Sequence, residues 1–223
     1  MKSSTLFLAV SLLAFGAGCQ KSEITDKPAA EITQTTATDV AANATTGTEP
    51  PPGAVTSQVI KEKSRIEFVG AKVTRDHQGK FHDFDGWIQY DGTTPSRIAF
   101  DIDLGSIETD TADLTKHLKT ADFFDVARYP KATFVSTSLT PAPAGSPAGA
   151  THMLAGMLDL HGMQRQVTIP VKAQTTGDGV RTTSEFTINR QDWGIAYRGM
   201  ADDLIKDNVL IKLDLTFPPP PAA

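Results

Sequence analysis

Apolar and polar residues alternate along most of the chain after Ser57. Ile66, Phe68 and Gly70 alternate with Arg65, Glu67 and Val69, and Ile98, Phe100, Ile102 and Leu104 with Arg97, Ala99, Asp101 and Asp103. The period returns in Val167, Ile169 and Val171, and again from Val209 through Ile211, Leu213 and Leu215 to Phe217. Successive strand side chains point to opposite faces, so period two means strands with one apolar and one wet face. The pattern predicts about eight of them, over 64–75, 79–91, 96–106, 131–140, 151–160, 163–174, 181–190 and 207–217. Asp91-Gly92, Pro141 to Gly149, His161-Gly162 and Gly177-Asp178-Gly179 supply turns between them. One stretch has helical spacing: Leu114 and Leu118 stand four apart, behind Asp110 or Thr111 as N-cap. The class is all-β, a sandwich or an up-and-down barrel with one inserted helix; strands this long with short connections can tilt and close, which favours the barrel.

One parity collects Ile66, Phe68, Ile98, Phe100, Ile102, Leu154, Leu158, Leu160, Ile211 and Leu213, with Phe84, Phe134 and Phe186 as further apolar candidates. These are expected to face inward. Glu67, Asp101, Asp159 and Asp214 fall on the other parity, where burying them unpaired would be costly. The inward aromatic residues either plug the barrel or line a long apolar pocket, and alternation does not choose between the two.

Both ends of the chain break the pattern. Lys2, the apolar run Leu6 to Phe15, and Gly16-Ala17-Gly18 before Cys19 have the order of a secretory signal. The run is too short to span a bilayer, which takes about 20 residues. Cys19 is the only cysteine. Its position resembles a bacterial lipobox, with Gly16 standing where that pattern has an aliphatic residue. Residues 1–18 are thus expected as a lipoprotein-type signal peptide and Cys19 as the lipidation site. Residues 20–56 hold nine Thr, seven Ala, four Pro and no aromatic residue, a composition that buries too little to order itself. The expectation is a disordered tether over 19–56, a barrel domain over 57–217 and a Pro-rich tail over 218–223.

Charge and motifs narrow the function. The formal charge is -5 with 26 acids against 21 bases, which disfavours a nucleic-acid partner. A single cysteine leaves no disulfide framework within the chain. The histidines His77, His82, His117, His152 and His161 form no metal-ligand spacing. Gly-x-Ser-x-Gly, Gly-x-Gly-x-x-Gly and Walker A motifs are absent, and nothing in the spacing demands an enzyme, a metal or a cofactor.

Several runs resemble a known family. The segments from His117 through Ala121-Asp122-Phe123-Phe124-Asp125 to Tyr129-Pro130-Lys131-Ala132-Thr133-Phe134 closely resemble the signature of the YceI-like, polyisoprenoid-binding family. So do Phe84-Asp85-Gly86-Trp87, Gly156-Met157-Leu158-Asp159-Leu160-His161-Gly162 and Asn189-Arg190-Gln191-Asp192-Trp193-Gly194. The resemblance implies a lipocalin-like antiparallel β-barrel with a helix at one opening and a long isoprenoid-type chain in its lumen. On that reading the protein binds an apolar lipid (isoprenoid, quinone or fatty-acyl) in the cell envelope, on the periplasmic side, outer-membrane-anchored through Cys19. The inward set forms the lumen, and His117, Leu118, Phe123, Phe124 and Arg190 are candidates for its mouth. The alternative is an envelope scaffold with a plugged barrel and no ligand.

Overall fold

The computed structural model describes residues 22–33, 48–147, 149–177, 179–200 and 203–220. Cys19 and the signal-like segment lie outside the described residues.

The strands are β1 (Glu31–Thr33), β2 (Val55–Gln58), β3 (Arg65–Ala71), β4 (Asp76–Phe81), β5 (Phe84–Asp91), β6 (Thr94–Asp103) and β7 (Ile107–Thr109). After helix α1 (Ala112–Leu118) come β8 (Lys131–Pro141), β9 (His152–Leu160), β10 (Met163–Thr176) and β11 (Gly179–Asn189). Two short strands, β12 (Gly199–Met200) and β13 (Asp203–Leu204), precede β14 (Asn208–Phe217). The main sheet runs β2-β5-β6-β8-β9-β10-β11-β14-β3-β4-β7. Its geometry forces curvature: β4 and β5 lie near opposite ends of that order, yet only His82 and Asp83 separate them in sequence. The sheet must therefore curl until its edges meet. At the seam Ile60 N, just after β2, donates to Thr216 O of β14 (2.8 Å). The result is a lipocalin-like antiparallel barrel.

Several elements differ from the alternation pattern. The strand expected over 79–91 breaks at His82-Asp83, where the chain crosses from one sheet edge to the other. The strand expected over 64–75 ends at Ala71, and residues 104–106 turn as a 3-10 helix behind Asp103, whose carboxylate accepts from Gly105 N (2.7 Å). Helix α1 starts after Thr111, whose side chain makes no capping bond, while Asp110 bonds His77 instead.

The expected tether is partly built into the fold. Residues 22–33 form a strap across the outside of the barrel. Ile24 packs on Val69, Ala71 and Leu210, which sit on the outward parity of β3 and β14. Glu23 pairs with Lys212 and Lys27 with Glu185. The strap then enters the wall. Ala30 N donates to Thr187 O and Thr187 N to Pro28 O, both at 2.8 Å. β1 pairs antiparallel with β10, with Ile32 opposite Val167. The β10–β11 pairing covers only Lys172 to Thr176, so β1 fills the gap where these strands part. Residues before β2 also dock, with Thr48 O accepting from Trp87 Nε1 and Thr48 Oγ1 donating to Asp101 (2.7 Å). Composition argued for disorder, but Ala30, Ile32 and Ile24 need bury only a narrow stripe when a finished sheet supplies the other side. The tail is pinned as well: Pro218 O accepts from Tyr90 Oη (2.9 Å) and Pro219 O from Ser57 Oγ (3.1 Å).

Candidate ligand-binding lumen

The inward faces enclose a cavity of about 230 Å³. Ile66, Phe68, Ile98, Phe100, Ile102, Phe134, Leu154, Leu158, Leu160, Phe186, Ile211 and Leu213 all line it. Phe84 does not. It is buried in the same core, but does not reach the space.

Three large side chains border an open lumen because each ring leans over a glycine. Phe68 lies opposite Gly79 and Phe100 opposite Gly86 in the strand register. Phe134 leans over Gly156, two residues along β9 from its own partner Leu158. A Cβ at Gly79, Gly86 or Gly156 would fall 2.2, 2.3 or 2.5 Å from the respective ring, far inside the usual carbon contact distance of about 3.5–4.0 Å. Without that Cβ each ring lies along the wall rather than filling the centre. The contribution of Gly79, Gly86 and Gly156 is this close ring approach.

The two ends differ. At one, Phe217 is fully buried and packs edge-on against Phe100, with ring centroids 6.0 Å apart, under the tail held by Tyr90. Burial pushes the Tyr90 phenol above its ordinary pKa. At the other end, Leu114, Leu118, Phe123 and Phe124 reach the cavity beside Lys72, His77, Arg190 and Ile205. Apart from Thr182, these three titratable side chains are the polar ones in the lining.

Of the residues expected at a mouth, Leu118, Phe123, Phe124 and Arg190 line the cavity, whereas His117 does not. His117 packs edge-on against Phe123 and Tyr197, both at 5.0 Å, and its Nε2 lies 2.8 Å from Asp122. The helix turns it away because Leu114 and Leu118 take the inward stripe. Arg190 lines the lumen, but its donors are committed. Nε donates to Lys206 O (3.2 Å), Nη1 to Ile195 O, and Nη2 to Ile205 O (3.4 Å) and Asp207 Oδ1 (3.2 Å). It clamps the 195–207 loop rather than presenting a free fork, and burial lowers its pKa against the opposing pull of Asp207. His77 went unremarked as a lining residue, since alternation alone did not show that β4 turns it inward. Arg75 Nε donates to His77 Nε2 (3.1 Å), so the ring proton sits on Nδ1, facing Asp110 at 2.9 Å.

Other signature residues form a knot outside the lumen. Tyr129 meets His161 edge-on at 4.8 Å and crowds Gly162, which has φ +71. His161 Nδ1 lies 3.0 Å from Trp193 O, and Trp193 Nε1 donates to Leu158 O (3.3 Å). Among the described residues no cluster of three or more His, Cys, Asp or Glu could hold a metal ion, and no helix is long and apolar enough to cross a membrane.

Fold and cavity define a class: an antiparallel barrel around an apolar lumen, closed at one end and bordered by Lys72, His77 and Arg190 at the other. The model of the YceI-like domain matches residues 58–217, and the chain belongs to this family. A UPF0312 protein of Pseudomonas syringae pv. tomato is 31% identical over 173 residues, covering 71% of this chain and 83% of the relative. Protein YceI of Salmonella arizonae is 36% identical over 102 residues, 45% of this chain and 50% of that one. Among solved structures, Burkholderia cenocepacia BcnA superposes with a TM-score of 0.62 at 24% identity, over 70% of this chain and 98% of its own. A polyisoprenoid binding domain from Saccharophagus degradans, implicated in plant cell wall breakdown, gives 0.59 at 19% identity, over 75% and 99%.

Proposed function

We propose that this protein is a lipid-binding protein of the bacterial cell envelope that holds an isoprenoid-type chain in its lumen, on the periplasmic side, with Cys19 as its lipid anchor. The observation that carries the reading is the lumen itself: walls that are almost wholly apolar, one end sealed by Phe217, and Lys72, His77 and Arg190 bordering the other. An apolar chain suits these walls. The fold shared with a polyisoprenoid binding domain supports the same ligand class. Burying a methylene contributes about 0.8 kcal/mol, so one five-carbon isoprene unit supplies roughly 4 kcal/mol without any polar contact. A cavity of about 150 Å³ is enough to take benzene, so 230 Å³ accommodates about two isoprene units as it stands. Phe81 and Phe124, which also line the lumen, meet edge-on at 6.2 Å.

The test is native mass spectrometry of the purified protein, then organic extraction and titration with a fluorescent polyprenyl probe. Phe100→Asp and Leu158→Asp are expected to abolish binding in chains whose circular dichroism is unchanged, while His117→Ala keeps affinity within about threefold. A protein that purifies without lipid, and whose probe binding ignores both aspartates, overturns the reading.

A further inference from the structure

Large apolar side chains are strongly exposed at three described positions: Val55, Val73 and Leu204. Two of them are neighbours. Val73 N donates to Leu204 O at 3.0 Å, and Lys206 N to Ala71 O at 2.8 Å, so the β3–β4 turn and the β13 strand form one tip. Val73 is 68% exposed and Leu204 47%. A fold that covers Leu210 with a strap and Phe217 with a tail leaves this pair in the open.

The strap begins at the same tip. Ser22 Oγ donates to Asp76 Oδ2 at 2.7 Å, and Asp76 pairs with Ala71 across the turn that carries Val73. Cys19 is three positions before Ser22, and three residues of chain span at most about 11 Å. An acyl group on Cys19 would therefore be within reach of Val73 and Leu204. Lys72, His77 and Ile205, which line the lumen at this end, lie beside the tip.

From these placements we infer that the end of the barrel bearing Val73 and Leu204 rests on a lipid bilayer, with Cys19 anchoring that end and the lumen mouth turned to the membrane. Lipid then moves between bilayer and lumen without crossing water. The inference deepens the lipid reading above and rests on it for the mouth, but docking is measured separately.

Cys19 is the sole cysteine, so the mature full-length chain can be coupled through it to maleimide-lipid in phosphatidylcholine–phosphatidylglycerol vesicles. Tryptophan is placed at the tip by Val73→Trp, or at the sealed end by Val55→Trp, where Val55 pairs with Tyr90. Brominated lipid is expected to quench the added emission at 73 by at least a third and to leave the added emission at 55 unchanged, with the unsubstituted chain as baseline. Ile24→Asp, which frees the strap, is expected to halve the quenching at 73. Equal quenching at 73 and 55, or none at 73, overturns the docking. Polyprenyl-probe binding by the uncoupled Cys19→Ser chain reports the lumen alone. Binding without quenching at 73 defeats the docked orientation only, and quenching at 73 without binding supports the docking while removing the lipid reading.

Discussion

Gly156→Ala tests the lumen wall at a single carbon. The added Cβ would fall 2.5 and 2.6 Å from two atoms of the Phe134 ring and 2.7 Å from Val135 O. Ordinary contact needs roughly 1 Å more on each side. The ring can yield only toward the cavity, and the carbonyl belongs to the strand backbone, so the β8–β9 ladder must shift with it. Alanine for glycine alone favours folding by about 0.4–1 kcal/mol, through the unfolded chain. Overpacking of this kind costs about 1–3 kcal/mol, so the net expectation is a loss of about 1–2 kcal/mol. In a domain of this size each kcal/mol moves the melting temperature by about 2–4 °C. Thermal unfolding followed by circular dichroism should therefore show a fall of about 2–8 °C, together with reduced lipid content because the ring now occupies the lumen. Adding Phe134→Leu removes the ring contact but not the carbonyl contact, and should restore part of the loss; the difference is the coupling energy of the Gly–Phe pair. A Gly156→Ala protein that melts at the wild-type temperature with its lipid retained would refute the claim that this glycine sets the ring.

Arg190→Lys is expected to behave almost like Arg190→Ala, since one ammonium cannot serve the carbonyls of Ile195, Ile205 and Lys206 together; urea unfolding should show a loss of about 2–3 kcal/mol, and hydrogen exchange should quicken across 195–207. Asp214 is held below the ordinary carboxylate range chiefly by the hydrogen bonds of Arg181. Its contribution is therefore present above that range and lost as pH falls through the lowered value, and the gap in urea midpoint between wild type and Asp214→Asn should close between neutral and acid pH.

The barrel was legible because period two is a local signal. Inward and outward sets followed directly from parity, and all of that inward set but Phe84 line the cavity. What escaped was anything set by a second layer. Val69, Ala71, Leu210 and Trp87 are apolar or aromatic on the outward parity and buried. They required a cover, and the cover came from Ile24 and Thr48 in a segment whose composition reads as disordered. A strap of this kind is legible only from the surface it covers. His117 misled for a different reason: a polar residue between Leu114 and Leu118 looks like a head-group contact, but the helical stripe those leucines occupy excludes it from the interior. Arg190 reached the predicted place in a different capacity, because loop carbonyls that cannot be foreseen from sequence claim its donors.

The lumen is costly to leave empty. At about 24 cal/mol per Å³ for unfilled core volume, 230 Å³ corresponds to roughly 5 kcal/mol of packing forgone, comparable to the whole stability of a typical domain, about 5–15 kcal/mol. Filling it would have needed little. Phe68, Phe100 and Phe134 already stand around the space, and an alanine at Gly79, Gly86 or Gly156 would drive a ring into it. The glycines work in the opposite direction, laying three rings against the wall. The strap also seals the gap between β10 and β11, where an unfilled barrel would otherwise admit water. A wall closed against water around a space kept clear of the protein's own side chains stabilises the molecule only when something apolar occupies that space.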